Sequence, residues 1–268
     1  MIPIKDNIPT LRFPVVTVVL IAINVAVFVW QVTLSSAPDS STSPHVPGLS
    51  QADEVTLEYG AMPYRLTHPG KNCGVAGQHV VCQGQPGYAS ATKLESPPWW
   101  STIFTSMFMH GGILHIAFNM LFLWIFGNNI EDSMGRPRFI VFYLLGGVVA
   151  AYTQALLSAS STVPAIGASG AIAGVLGGYL LLYPRARVLT IVLIILFVTI
   201  IEIPAAILLA IWFALQFLPA LGQVTTTAGG EGGIAYWAHV GGFIFGLIAI
   251  KAFASRYRTK ELGPPGLA

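Results

Sequence analysis

The chain has 268 residues, of which 54% are hydrophobic and 9% are charged. Soluble domains carry roughly a quarter charged residues, so this composition excludes a soluble globular protein. Apolar stretches of about 20 residues recur along the chain, as they do in multi-pass membrane proteins. The net charge of +2 is too small to indicate a nucleic-acid partner.

The apolar stretches predict six membrane spans, and hence an all-α membrane protein built as a six-helix bundle. The predicted spans are residues 13–34, 108–127, 138–158, 169–183, 203–221 and 235–254. The first stretch is longer than the apolar core of a secretory signal, which has about 7–15 residues. We interpret it as a retained span, with a cleaved signal as the alternative. Residues 1–12 and 255–268 then flank a membrane domain over residues 13–254.

A polar loop over residues of about 35–100, rich in Ser, Pro and Gly, separates the first two spans. Both cysteines, Cys73 and Cys82, lie in it and form either a disulfide or two free thiols. An oxidising compartment would favour the disulfide. The loop ends near Trp99 and Trp100, which either anchor it at the membrane interface or pack within it.

Between Val188 and Leu221 the chain is almost continuously apolar, which is too long for a single span. Glu202 and Pro204 interrupt this stretch, and a proline is typical of the first turn of a helix. The first part, residues 188–201, is short for a membrane crossing and suits an interfacial or re-entrant segment.

The positive charges favour six spans over seven. With six spans and the amino terminus inside, ten of the thirteen Lys and Arg residues lie on the inner side. The three on the outer side are Arg65, Lys71 and Lys93. Since inner loops carry the excess of Lys and Arg, we expect cytoplasmic termini and an extracytoplasmic loop. A seventh span would move the carboxy-terminal basic residues outside.

Ser169 and His239 are the candidate catalytic pair, because they begin the fourth and sixth spans at similar depth in the six-span arrangement. A serine on a membrane helix commonly bonds to its own backbone, whereas a histidine within a span indicates function. Small residues at every fourth position follow each of the two, and they allow helices to approach closely. These residues are Gly170 and Gly174 in the fourth span, and Gly242 and Gly246 in the sixth. Close approach would bring the hydroxyl and the imidazole within hydrogen-bond distance, as activation of a nucleophile requires.

The second span carries His110, His115 and Asn119. His115 and Asn119 are four residues apart and therefore share a helix face, so that with the Ser169 backbone N–H they could donate to a developing oxyanion. For Asn119 the alternative is a hydrogen bond between helices, and His110 is interpreted as structural, bonding the loop to the helix. No metal is expected, because no acidic ligand accompanies the histidines and H-E-x-x-H is absent.

No acidic residue lies near Ser169 or His239 in the predicted bilayer. A Ser–His dyad is therefore favoured over a triad with an orienting carboxylate.

Taken together, these motifs resemble the rhomboid family of intramembrane serine proteases. The family pattern is H-x4-H-x3-N in the second helix, G-x-S-G at the start of the fourth and H-x2-G-x3-G in the sixth. The matching residues are His110, His115 and Asn119, then Gly167, Ser169 and Gly170, then His239, Gly242 and Gly246. The opening residues 1–6 and the stretch 104–131 also look like bacterial members.

The resemblance implies a serine endopeptidase with Ser169 as nucleophile, His239 as general base, and Asn119 with His115 as oxyanion donors. No cofactor is implied. Glu131 matches an acidic residue that is structural in the family. Some members have a tyrosine one turn after the serine, stacked on the histidine, and here that position is Ala173.

The implied substrates are single-pass membrane proteins, cleaved near the outer face, with a mobile fifth helix controlling access. The implied location is the bacterial inner membrane, with the lipid bilayer as surroundings, no nucleic-acid partner and an open oligomeric state. Two alternatives remain: an inactive relative that binds membrane clients, and a transporter whose polar residues line a pathway.

Overall fold

The computed structural model describes residues 1–36, 46, 49–77, 79–194, 197–225 and 234–255. Within these ranges it is a mostly helical bundle, and five helices are long and apolar enough to cross a membrane. A sixth apolar helix, Ser169–Leu182, has 14 residues, or about 21 Å at 1.5 Å per residue. The chain is therefore an integral, multi-pass membrane protein, as the composition predicts. The predicted tail, residues 255–268, lies outside the described residues except for Ser255.

Helices and short strands alternate along the described chain. In chain order the helices are α1 (Val15–Ser36), α2 (Gln51–Tyr59), α3 (Pro63–Thr67), α4 (Thr102–Ser106), α5 (Ile113–Phe122), α6 (Asn128–Met134), α7 (Arg136–Leu157), α8 (Ser169–Leu182), α9 (Ala205–Thr225) and α10 (Tyr236–Phe253). The strands are β1 (Ile2–Asp6), β2 (Cys73–Ala76), β3 (His79–Cys82), β4 (Thr92–Lys93), β5 (Arg187–Ile194) and β6 (Phe197–Pro204).

The second membrane helix begins later than predicted and is not uniform. Residues 108–112 precede α5, because the adjacent Gly111 and Gly112 lose more backbone freedom in a helix than other residues do. A π-helical turn over Leu123–Gly127 then joins α5 to α6. This turn changes the helical pitch between the part with the polar residues and the part with Glu131.

Helix α8 lies at the centre of the bundle, and most of its side chains are buried. It packs against α7 and α10, and the main apolar core includes Leu176 and Tyr179 of α8, Phe142 of α7 and Phe243 of α10. The large apolar side chains that remain exposed, such as Leu156 and Ile248, lie on the outside of the bundle. A membrane helix bundle has this distribution, because lipid solvates its outer face.

The segment predicted as interfacial or re-entrant is a β-hairpin. Strands β5 and β6 pair antiparallel from Arg187 opposite Pro204 to Ile194 opposite Phe197, and β1 pairs with the free edge of β5. The hairpin residues are rich in Val, Ile and Thr, which favour strands. These strands, and the second sheet described below, add to the predicted helical bundle.

The polar loop contains α2, α3 and a sheet with strand order β3-β2-β4. Cys73 pairs with Cys82 across β2 and β3, and the two form a disulfide. An isolated bridge between Ala61 and Ala165 connects the loop to the segment just before α8. The ordered part of the loop thus contacts the end of the bundle at which α8 begins, here called the Ser169 end.

The opposite end of α8 contacts the β1-β5-β6 sheet and is called the sheet end. There Glu131 accepts hydrogen bonds from the Val16 and Thr17 backbone N–H groups, at 3.0 and 2.8 Å, and from the Thr17 hydroxyl at 2.8 Å. Because the first N–H groups of a helix have no acceptor within it, Glu131 caps the start of α1. A structural role was predicted for this residue.

Asp6 is the second buried carboxyl at the sheet end. Its Oδ2 accepts hydrogen bonds from Asn129 Nδ2, at 2.6 Å, and from the Tyr179 hydroxyl. Burial raises the pKa of Asp6 from 3.8 to about 6, although the hydrogen bond from Tyr179 opposes the increase. Strand β1 is thereby attached to both α6 and α8.

Candidate active site

The two residues predicted as the catalytic pair are in contact. His239 Nε2 lies 2.7 Å from Ser169 Oγ, although the residues are 70 positions apart. Ser169 is the first residue of α8, and His239 lies in the first turn of α10. Both side chains are half-buried. The distance suits a hydroxyl that donates to an unprotonated imidazole nitrogen.

The glycines of α8 and α10 make this contact possible. A Cβ at Gly242 would collide with the Gly170 carbonyl oxygen, and a Cβ at Gly246 with the Gly174 carbonyl oxygen. A Cβ at Gly170 would lie 2.6 Å from the Ala150 Cβ of α7. The backbones therefore approach as closely as the predicted small-residue stripes allow. Larger residues here would separate Ser169 from His239.

Gly167 shapes the turn that leads into α8. Its φ of +123° lies in a region of backbone conformation that residues other than glycine rarely adopt. Its N–H donates to the Ser106 carbonyl at 2.8 Å. A Cβ at Gly167 would lie 2.8 Å from His115 Nε2 and 3.6 Å from Ser169 Oγ. Glycine at this position thus leaves space for His115 beside the serine.

His115 presents one ring nitrogen towards this turn. Its Nδ1 lies 3.4 Å from the Gly111 backbone nitrogen and accepts that N–H. In a neutral imidazole the other nitrogen, Nε2, then carries the proton. His115 therefore directs an N–H donor to the region beside Ser169.

Asn119 lies one turn after His115 and is 7% exposed. Its Nδ2 has no acceptor within the described ranges. Buried amide groups are ordinarily paired, so this free donor argues against the predicted alternative of a hydrogen bond between helices through Nδ2. The first backbone N–H groups of α8, including that of Ser169, have no acceptor within the helix either.

His110 is buried behind His115, with the two rings edge to face at 5.1 Å. Its backbone N–H donates to Gln31 Oε1 of α1 at 3.0 Å. Neither of its ring nitrogens has a partner in the described part of the chain. His110 therefore links the segment before α5 to α1 through its backbone N–H and not through its imidazole.

Two residues near His239 were not identified from the sequence. Gln216 of α9 places Oε1 2.8 Å from His239 Nδ1. The centroid of the Trp212 ring lies 6.0 Å from the centroid of the imidazole, and the two ring planes are inclined by 40°. The sequence does contain a sign of both residues, because polar and amphipathic side chains in an otherwise apolar membrane helix tend to face the protein interior. Ala173, the position where a tyrosine was expected, is fully buried.

The two aromatic residues beside His239 in sequence differ in their contacts. The Tyr236 ring lies edge-on to the imidazole at 6.5 Å. Trp237 instead packs against Phe217 of α9, at 6.4 Å. In addition, Gln154 of α7 accepts the Ala238 backbone N–H at 3.3 Å, which attaches the first turn of α10 to α7.

A cavity of about 40 Å³ lies beside Ser169. Small side chains dominate its lining, including Ala61, Ser106, Ala150, Gly170, Ala171 and Ala238. Across the ranges that the structure describes, no group of three or more His, Cys, Asp or Glu side chains is arranged to bind a metal ion.

Comparisons with known proteins support the resemblance. The family model described as the Rhomboid domain matches residues 97–256, which is more than half of the chain. This segment contains every residue of the three motifs.

Three curated relatives illustrate the similarity. Rhomboid protease GluP of Bacillus subtilis is 40% identical over 82 residues, which cover 31% of this chain and 15% of that protein. Rhomboid protein 1, mitochondrial, of Saccharomyces cerevisiae is 30% identical over 176 residues, 62% of this chain and 46% of that protein. RHOMBOID-like protein 4 of Arabidopsis thaliana is 27% identical over 243 residues, which cover 88% of this chain and 52% of that protein.

The chain thus spans about half or less of the length of these relatives. The domain match nevertheless covers the helices α5 to α10, which carry Ser169, His239, His115 and Asn119. The chain therefore belongs to the Rhomboid family.

Proposed function

We propose that this protein is an intramembrane serine endopeptidase, which hydrolyses peptide bonds in or near the transmembrane segments of membrane-protein substrates. The observation that carries the proposal is the 2.7 Å contact between Ser169 Oγ and His239 Nε2 on two helices of an apolar bundle. An inactive client-binding relative would have no need of this pair. A transporter would need a polar pathway, whereas the cavity at Ser169 is small.

In the proposed mechanism, Ser169 Oγ attacks the carbonyl carbon of the scissile peptide bond, and His239 Nε2 accepts the hydroxyl proton. The carbonyl oxygen becomes an oxyanion, stabilised by donors that are already oriented. The candidate donors are the unpaired Asn119 Nδ2, His115 Nε2 and the Ser169 backbone N–H.

The protonated His239 then gives its proton to the leaving amine, and the peptide bond breaks. An acyl ester on Ser169 remains. His239 next takes a proton from a water molecule, whose oxygen attacks the ester carbonyl. Return of that proton to Ser169 Oγ releases the new carboxylate and restores the enzyme.

The proposed substrates are single-pass membrane proteins, and the small, alanine-rich cavity beside Ser169 suits a small side chain next to the cleaved bond. We propose cytoplasmic termini with the site toward the extracytoplasmic face, supported by the asymmetry of Lys and Arg. The proposed location is the bacterial inner membrane. One of the relatives comes from a bacterium and the name of another includes the word mitochondrial, so fractionation of the source cells is the test.

The main experiment reconstitutes the protein in liposomes with a labelled single-pass substrate and also measures labelling by a fluorophosphonate. Ser169→Ala and His239→Ala are expected to abolish both signals. Ser90→Ala and His79→Ala are matched controls, since both residues are exposed in the polar loop, and they should retain wild-type labelling. Cleavage that survives the Ser169 and His239 substitutions would contradict the proposed mechanism.

A further inference from the structure

His239 is held through both of its ring nitrogens. Nε2 contacts Ser169 Oγ at 2.7 Å, and Nδ1 contacts Gln216 Oε1 at 2.8 Å. In the described part of the chain these two contacts are to an amide oxygen and a hydroxyl, and no carboxylate hydrogen bonds to this imidazole. The orienting contact is supplied by an uncharged amide.

The tautomer of His239 makes this contact important. A neutral imidazole carries one proton, and Nε2 must be unprotonated to accept the Ser169 hydroxyl proton. The proton must therefore be on Nδ1, where it needs an acceptor. The oxygen of Gln216 is that acceptor. If Nδ1 instead faced an apolar side chain, the ring would lose the hydrogen bond that selects this tautomer.

The position of Gln216 in α9 fits such a role. It has the single amide side chain between Ala205 and Gly222, in a helix that is otherwise almost entirely apolar. An amide facing lipid would leave its donors and acceptor unsatisfied, whereas here it lies against His239. Trp212 is four residues earlier on the same helix face and also contacts the imidazole, at 6.0 Å.

An amide also suits the depth of the site. A buried carboxylate would have to lose its hydration within an apolar bundle, which is costly for a charge inside a membrane. An amide oxygen accepts the same hydrogen bond without that cost. It stabilises the imidazolium less than a carboxylate would, so its main effect is on the orientation and tautomer of the ring.

Building on the proposed function, we propose that Gln216 is a positioning residue, which orients His239 from α9 through the Nδ1–H to Oε1 hydrogen bond. The residue does not touch the reacting atoms and acts through the imidazole. Because α9 carries it, the base is fully oriented when α9 lies against α10.

The test uses Gln216→Met, which keeps the length of the side chain but removes the acceptor, and Gln216→Glu, which replaces the amide with a carboxylate. The probe is a fluorophosphonate, so that no natural substrate is needed. Gln216→Met should lower the maximal labelling rate about 10- to 100-fold, which is less than the roughly 100- to 10,000-fold contributed by the general base itself, because the imidazole stays in place. The half-saturating probe concentration should not change.

Gln216→Glu should restore labelling at neutral pH and above. It should also move the acidic limb of the pH–rate profile about one unit or more to higher pH, because a carboxylate stabilises the imidazolium. Leu215→Met is the matched control, since Leu215 is the neighbouring residue, 60% exposed on the outside of the bundle. It should label as wild type.

Wild-type labelling by Gln216→Met would overturn the inference, as would equal losses in Gln216→Met and Gln216→Glu with no movement of the pH profile. The second result would mean that Gln216 only supports packing. These failures differ from failure of the proposed function, in which Ser169→Ala itself would still be labelled or would still cleave.

Discussion

The two ends of the helical bundle treat buried polar groups differently. At the sheet end, the Glu131 carboxylate accepts three hydrogen bonds and Asp6 accepts two. At the Ser169 end, Asn119 Nδ2 and both ring nitrogens of His110 have no partner among the described residues. An unpaired buried group costs stability, whereas a paired one connects elements. The sheet end therefore uses its buried polar groups to connect elements, whereas the Ser169 end leaves polar groups unpaired beside the proposed active site.

The largest expected effect is on activity at the Ser169 end. Asn119→Ala should lower kcat about 100- to 1000-fold, as the loss of one oxyanion donor does. Because Nδ2 has no partner in the resting protein, the apparent Tm in detergent should stay near the wild-type value. The measurements are cleavage in liposomes and thermal unfolding. A lower Tm with normal kcat would instead show that Asn119 stabilises the fold, as the buried polar groups of the sheet end do.

Gly246 connects the two ends through the packing of α8 and α10. Gly246→Ala places a Cβ against the Gly174 carbonyl oxygen, and overpacking of this kind costs about 1–3 kcal/mol. Both Tm and fluorophosphonate labelling should fall, because the two helices must separate. Ile248→Ala is the control on the same helix, since Ile248 is 76% exposed. Equal behaviour of the two variants would show that close packing of the backbones is not required.

Substitution of Glu131 tests whether the sheet end stabilises the fold. Both of its oxygens face N–H donors, so Glu131→Gln turns an NH₂ group towards a donor and should cost about 1–3 kcal/mol of stability. Labelling per folded molecule should not change. In Glu202→Gln, the control, only an exposed ion pair with Arg187 is lost, and such pairs contribute about 0–1 kcal/mol. If Glu131→Gln lost labelling but kept wild-type stability, the structural role of Glu131 would be contradicted.

The smallest expected effect is a pH dependence of stability due to Asp6. Its pKa is about 6 in the folded protein and 3.8 as a reference for the unfolded chain. The folded state therefore binds the proton more tightly, so this contribution to stability is complete below about pH 4 and is lost as the pH rises through about 6.

Asp6→Asn should remove that dependence and add on the order of 1 kcal/mol of stability at pH 7. The upper limit is about 3 kcal/mol, since the pKa rises from 3.8 to about 6 and one pKa unit corresponds to about 1.4 kcal/mol. Thermal unfolding between pH 4 and pH 8 measures it, with Glu95→Gln as an exposed control. A variant whose stability keeps the wild-type pH profile would show that the Asp6 carboxyl is not responsible.

Local patterns were sufficient to predict the five long apolar helices, because an apolar stretch of about 20 residues has one favourable environment. The contact of Ser169 with His239 was also predictable, since small residues at every fourth position define which faces can approach. The hairpin of β5 and β6 was not predicted. A short apolar run is ambiguous between helix and strand, and the strand β1 that completes this sheet lies about 180 residues away in sequence.

The sequence by itself determined the class of the protein and the candidate residues Ser169, His239, His115 and Asn119, because composition, helical periodicity and motif spacing are local properties. Only the tertiary structure decided what each nitrogen of these side chains contacts. Gln216 lies 23 residues from His239, on a different helix, and no local pattern specifies that pairing. It follows from how α9 packs against α10, which depends on the shapes of both surfaces together.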